Sequence, residues 1–193
     1  MQISKLLVGL AISMAGLVAI SNFLVQFPIK YLGLENILTY AAFTYPITFL
    51  ITDLANRKYG KFIARKVVYL GFLTGILLTL FFSTNFDDSI SIRIAFGSGT
   101  AFLIAQLLDV KVFDVLRKKS WYIAPITSSL IGSIVDTFLF FFISFYNTGL
   151  PWISLAIGDF FVKLIISLLM LVPFRLLLRK TIPDDKKLSA RSY

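Results

Sequence analysis

Runs of apolar residues, each near twenty in length and closed by charge or by turn residues, recur along the whole chain. A helix needs about 20 mostly apolar residues to cross a hydrocarbon core of about 30 Å. The pattern therefore predicts six transmembrane helices over 5–27, 37–57, 66–86, 92–113, 122–145 and 152–174, packed as one all-α bundle in a single domain covering 1–193. The stretch from Ser120 to Gly158 carries one charge, Asp136, and is too long for one crossing. Tyr146-Asn147-Thr148-Gly149-Leu150-Pro151 supplies the turn residues that divide it. The first apolar run is longer than the core of a secretory leader and five more runs follow, so it reads as a helix of the bundle. No tandem repeat is visible.

Composition sharpens the choice of solvent. The chain is 58% hydrophobic and 15% charged, with 20 Phe in 193 residues and a mean hydropathy of +0.85. Soluble domains average about 45–50% apolar and about 25% charged, which leaves too little polar surface here to cover a core in water. The solvent is lipid. Cysteine and histidine are absent, which excludes disulfides, thiol nucleophiles, histidine acid–base chemistry and the common zinc and haem ligand sets. No cofactor or metal is implied.

The net charge of +9 suits either a nucleic-acid surface or cytoplasmic loops, and its distribution decides. Arg57, Lys58, Lys61, Arg65 and Lys66 fill the link between the second and third spans, Arg117, Lys118 and Lys119 that between the fourth and fifth. Arg179, Lys180, Lys186, Lys187 and Arg191 follow the sixth. The alternate links hold Lys30 with Glu35, Asp87 and Asp88 with Arg93, or no charge. Positive loops stay inside, so both termini are expected in the cytoplasm and no nucleic-acid partner is expected.

Ionisable groups inside spans cost about 2.5–3.5 kcal/mol on insertion scales and are functional candidates by default. Asp136 lies near the middle of the fifth span, among Ser128, Ser129, Ser133 and Thr137. Alone there, it would be protonated or bonded to those hydroxyls. Asp159 and Lys163 stand four apart on one face of the sixth span and can pair. Asn22 and Gln106 are candidates too, although amides often serve as interhelical glue. Asp53 and Arg57, one turn apart, permit an ion pair that Asp109 could join, as a gate or helix-end latch; a solvated helix end is the other reading, and the expected one for Asp109. Ala11, Ala15 and Ala19 form a small-residue face on the first span. That face would admit another helix of the bundle, a second copy of the chain or a coupling subunit.

Catalysis finds little support. Gly97-Ser98-Gly99 loosely resembles a nucleophile turn but has no basic partner, and no phosphate-binding Gly-x-x-x-x-Gly-Lys-Ser/Thr loop occurs. Asp53, Asp109, Asp136 and Asp159 are scattered over four helices, whereas a metal site of a lipid transferase needs carboxylates at short fixed spacing. Single polar groups converging inside a bundle describe a transport site.

Several blocks carry a family resemblance: Ser21-Asn22-x-Leu24-Val25-Gln26, Phe43-Thr44-Tyr45-Pro46, Thr52-Asp53-Leu54-x-x-Arg57-x-x-Gly60, Gln106-x-x-Asp109-Val110, Trp121-x-x-Ala124-Pro125-x-x-Ser128, Gly132-x-x-x-Asp136-Thr137 and Asp159-x-x-x-Lys163. Together they resemble the queuosine-precursor transporters of the vitamin-uptake transporter group, with Ser133 where that family usually has Asn. The resemblance implies six helices, an inner-membrane location and import of deazaguanine bases, the 7-cyano and 7-aminomethyl forms, for tRNA queuosine modification. A deazaguanine is flat, with one acceptor and several donors along its edge. Asp136 or Asp159 could accept the donors, Asn22 or Gln106 could read the carbonyl, and Phe43, Tyr45, Phe140 or Phe141 could cover the ring. Two alternatives stay open: a substrate-binding subunit of an ATPase-driven vitamin importer, docked through Ala11, Ala15 and Ala19, and a small secondary carrier for another nucleobase-like solute.

Overall fold

A computed structural model describes residues 2–181 except 32, 36 and 83. Among these residues the chain is all helical, with no strand beyond an isolated bridge between Pro28 and Thr39. The helices are α1 Gln2–Leu24, α2 Ala41–Thr44, α3 Pro46–Tyr59, α4 Lys61–Phe82, α5 Ser89–Leu116, α6 Ile123–Phe145 and α7 Trp152–Thr181. Stretches within α1, α4, α6 and α7 are long and apolar enough to cross a membrane. At 28 residues α5 is longer than a crossing requires. Lys186, Lys187 and Arg191 lie outside the described residues.

Exposure is inverted relative to a soluble protein. Phe81, Phe82, Phe62 and Val115 are 71–81% exposed, while Asp53, Asn56, Gln106, Asp109, Asp136, Asp159 and Lys163 are buried. Polar groups go inward when the surrounding medium offers them no hydrogen bonds. An exterior so broadly apolar is the surface of a membrane protein.

Several helix bounds depart from the sequence expectation: α4 runs from Lys61 to Phe82 where 66–86 is expected and α5 from Ser89 to Leu116 where 92–113 is expected, and two further departures have visible causes. The second element starts at Ala41, not 37, because residues 38–40 pair with residues 27–29, just past α1, with Ile29 N–H donating to Leu38 O at 3.0 Å and Tyr40 N–H to Phe27 O at 3.2 Å. Pro46, lacking an N–H, then restarts the helix as α3. The last helix does not stop near Pro173 but runs on to Thr181. The turn beyond the proline is held by packing: Phe174 is 1% exposed and meets Phe113 edge to face at 6.3 Å, and Arg175 lies 4.7 Å over the Trp121 ring.

Gly60, at φ 83°, ends α3 and lets α4 begin one residue later. The basic links come together at one end of the bundle. There Lys61 pairs with Asp114 at 3.2 Å, Arg117 Nη2 donates to Arg57 O at 3.1 Å, and Arg57 donates to Arg117 O. The start of α1 reaches this end through Leu7 and Leu10, packed on the cluster that holds Ala64 and Val67, and α7 reaches it through Leu178, which with Leu116 packs on the cluster of Phe113, Ala124 and Phe174.

Along α1 and α4 the small residues are already matched. Gly71 sits against Met14 and the Ala11 carbonyl, and Gly75 against Val18 and the Ala15 carbonyl, so close that a side chain on either glycine would overlap the α1 residue. Ala11 and Ala15 are buried there. At Ala11 and Ala15 the partner that this spacing admits is thus a helix of the same bundle, α4.

Candidate functional site

The first polar centre forms where α6 and α7 face α1 and the α2–α3 break. Lys163 is 3% exposed, and its Nζ lies 2.6 Å from Asp159 Oδ2, 2.8 Å from Asp136 Oδ2 and 3.1 Å from Thr137 Oγ1. An ammonium has three N–H donors, and here three acceptors meet them. Thr137 in turn donates to Asp159 Oδ2 at 2.8 Å. The Asp159–Lys163 pair follows from its spacing within one helical turn. That Asp136 joins it, 27 residues away in sequence, corrects the expectation of a lone carboxyl resting on Ser133 and Thr137; Ser133 Oγ has no hydrogen-bond partner.

Asp136 Oδ1 is buried and has no partner either. Asp136 lines a small cavity together with Ser21, Asn22, Val25, Ala41, Tyr45, Phe140, Asp159 and Lys163. Lys163 also sits 4.9 Å over the Tyr45 ring. Asn22 is held in place: Nδ2 donates to Thr79 Oγ1 at 2.9 Å and Oδ1 accepts from Ser98. One N–H of its amide therefore remains to be given. The cavity volume is ≈ 20 Å³, about the space one water occupies. The conformation is closed, and any organic solute needs the helices to part.

Not every candidate from the sequence converges here. Phe43 is 47% exposed and does not line the cavity; Tyr45, two residues on, takes the aromatic position beside Phe140. Gln106 lies in a separate layer, donating to Thr48 Oγ1 at 2.8 Å and accepting from Thr52 Oγ1 at 2.6 Å, so both ends of its amide tie α5 to α3. Thr48 and Asn56, which are not among the candidates above, also make buried polar contacts from α3 to α5. Thr48, Thr52 and Asn56 recur every fourth residue on α3, a polar line within an apolar helix that was there to be read.

A second polar centre follows one layer further along α3. Asp53 accepts from Ser128 Oγ at 3.3 Å and Ser129 Oγ at 3.4 Å. Asp109 of α5 is its electrostatic neighbour. Asp109 is 0% exposed, which overturns its reading as a solvated helix end: α5 continues to Leu116, carrying the boundary past it. Arg57 turns toward the Arg117 carbonyl at the basic end. Two larger cavities, of ≈ 540 Å³ between α4 and α5 and ≈ 940 Å³ beside the start of α7, are lined mostly by Ile, Leu and Phe and open on the outer surface; they carry no charged side chain. Among the described residues no three or more Asp, Glu, His or Cys side chains gather as a metal site.

A charge-paired centre sealed inside a helical bundle, beside aromatic rings and one unfilled acceptor, is the kind of polar site that membrane transport proteins carry. Residues 39–178 match the family model described as "Putative vitamin uptake transporter", and the chain belongs to that family. It is 33% identical to the queuosine precursor transporter of Escherichia coli (strain K12), over 79% of this chain and 77% of that one. It is 34% identical to the probable queuosine precursor transporter of Haemophilus influenzae, over 81% and 79%, and 31% identical to that of Bacillus subtilis, over 75% and 73%. No solved structure shows a significant match.

Proposed function

We propose that this chain imports queuosine precursors, deazaguanine bases carrying a 7-cyano or 7-aminomethyl group, across the inner membrane. In this reading the whole chain is one domain, six helical elements cross the bilayer with α2 and α3 acting as one, and both termini are cytoplasmic. The observation that carries it is the sealed Asp136–Lys163–Asp159 centre in a chain whose curated relatives are named for that cargo.

The open valences suit such a base. Asp136 Oδ1 has no donor, and the N–H groups along a guanine-like edge would supply one. The spare N–H of Asn22 would meet the ring carbonyl, and Tyr45 and Phe140 would cover the ring faces. Lys163 has its donors filled, so its part is to fix the two carboxylates and not to touch the base. Two carboxyls against one ammonium leave room for a further positive charge, which the aminomethyl form supplies and the cyano form does not. Asp159 shares the site as the second anchor of Lys163. Entry requires the cavity to open, and the Arg57–Arg117 contacts at the basic end would part when it opens inward.

Restoration of queuosine in tRNA tests the reading. A bacterium unable to make or import the precursor, expressing this chain and given low external deazaguanine, should regain modified tRNA. Unmodified tRNA despite protein in the membrane, with each precursor offered in turn, would reject it.

A further inference from the structure

Asn22 lines the substrate cavity from α1, and its amide is gripped by side chains of two other helices. Thr79 Oγ1 of α4 accepts from Asn22 Nδ2 at 2.9 Å, and Ser98 Oγ of α5 donates to Asn22 Oδ1. All three side chains are buried. Close helix packing brings them together. A Cβ on Gly75, one turn before Thr79, would overlap Val18 of α1, and a Cβ on Gly99, next to Ser98, would overlap Ile76 of α4. The two hydroxyls are not equivalent partners. A hydroxyl has one proton to give, and Thr79 gives its own to the Gly75 carbonyl at 2.9 Å. The Thr79 oxygen is therefore an acceptor for the amide and suits only its N–H end. Ser98 spends its proton on the amide itself, and by turning it could accept from an N–H as readily as it now donates to the oxygen.

We propose that Thr79 is a specificity-determining positioning residue: by holding Asn22 Nδ2 it fixes which end of the amide the substrate meets, and so selects a base with a ring carbonyl over one with an amino group in that place. Of the two hydrogens on Asn22 Nδ2, Thr79 takes one. The other goes to the carbonyl of a guanine-like base. An amino group there sets N–H against N–H. Turning the amide over relieves that contact, but Thr79 must then withdraw its proton from Gly75 to meet the amide oxygen, and one hydrogen bond is lost. Ser98 imposes no such choice, since it serves either end. The discrimination is thus built on α4, away from the Asp136–Lys163–Asp159 centre, in a residue that does not touch the base.

The inference rests on the transport reading above, and the experiment separates the two. The purified chain in detergent is titrated with 7-aminomethyl-7-deazaguanine and with its analogue carrying an amino group in place of the ring carbonyl, and the ratio of the two affinities is read. Asp136 contributes to the native ratio as well, because the neighbouring ring nitrogen loses its hydrogen in the analogue, so the change in ratio on substitution isolates the Asn22 contribution. Thr79→Val should narrow the ratio by about fivefold, the worth of one hydrogen bond. Thr79→Ser, which keeps the hydroxyl, and Ser98→Ala, which keeps the Thr79 contact, should leave it within about twofold of native. A general loosening of the site would weaken both bases and leave the ratio alone. Should Thr79→Val not fold, Thr79→Ala makes the same comparison. A ratio unchanged without the Thr79 hydroxyl, or narrowed as much in Ser98→Ala, overturns the assignment, and so does a native protein indifferent to the two bases. Binding of neither base to any preparation defeats the transport reading instead. Nitrogen NMR of the Asn22 side-chain amide then decides the positioning: a hydrogen that exchanges slowly with water in the native protein and fast in Thr79→Val supports it, and equal exchange in the two overturns it.

Discussion

Replacing Asp136 with Asn separates a substrate-binding carboxylate from a structural one. Asp136 Oδ2 takes one of three Lys163 hydrogen bonds, at 2.8 Å, and Oδ1, buried on a residue that lines the cavity, has no partner. Lys163 keeps Asp159 at 2.6 Å and Thr137 at 3.1 Å in the variant, so the ammonium stays paired and folded yield should change little. The new amide has one oxygen, and Lys163 orients it toward itself. The NH2 group then points into the cavity, presenting hydrogens where the substrate also presents hydrogens. One charge-assisted hydrogen bond is lost, worth about 1.5–3 kcal/mol, or roughly 10- to 150-fold in affinity. Equilibrium binding of labelled deazaguanine to purified protein in detergent measures this directly. Parent-like affinity in Asp136→Asn would refute the assignment and leave Asp159 as the candidate.

Four further expectations follow from the same geometry. Lys163→Met should lower folded yield sharply, because removing one partner of a buried pair costs about 3–5 kcal/mol, and Lys163→Met with Asp136→Asn and Asp159→Asn should recover yield without recovering binding, as monodisperse protein by size-exclusion chromatography would report. Gly75→Leu should lower the melting temperature in detergent, since a Cβ there already meets Val18 Cβ at 2.9 Å and overpacking typically costs about 1–3 kcal/mol; an unchanged melting curve would mean that α1 and α4 do not pack so closely. Competition against labelled substrate should rank the 7-aminomethyl base above the 7-cyano base by about tenfold, the worth of one charge-assisted contact, and equal potency would contradict the charge reading. Single Cys replacements at Lys58 and Lys118 should resist an impermeant thiol reagent added to whole cells, whereas those at Asp87 and Asn147 should react; external labelling at 58 would invert the orientation.

What the chain discloses before folding depends on how far apart the partners lie. Apolar runs mark the existence of α1 and α4 to α7, because a run of that length has no other stable use, while their ends shift by up to seven residues, at the end of α7. The same rule misplaces the start of the second element, since residues 38–40 are held against residues 27–29 by backbone pairing, Tyr40 to Phe27 among it, that no periodicity announces. Asp159 and Lys163 pair by spacing alone. The link from Lys163 to Asp136 depends on the packing of α6 on α7, and that from Asp53 to the α6 serines on the packing of α3 on α6, so each carboxyl is conspicuous in sequence while its partner is not. Asp109 misleads because Lys111 and Asp114 follow it closely, which resembles a helix end; only the continuation of α5 to Leu116 buries it. Phe43 and Tyr45 look interchangeable as ring-covering aromatics, and the break at Pro46 decides that Tyr45 turns inward.

Transport by this chain alone is most directly tested by uptake of labelled 7-aminomethyl-7-deazaguanine into liposomes that contain no other protein. The expected result is saturable uptake well above that of empty liposomes, lost in Asp136→Asn. Uptake no greater than in empty liposomes, or appearing only when a separate ATPase module is added, would contradict it.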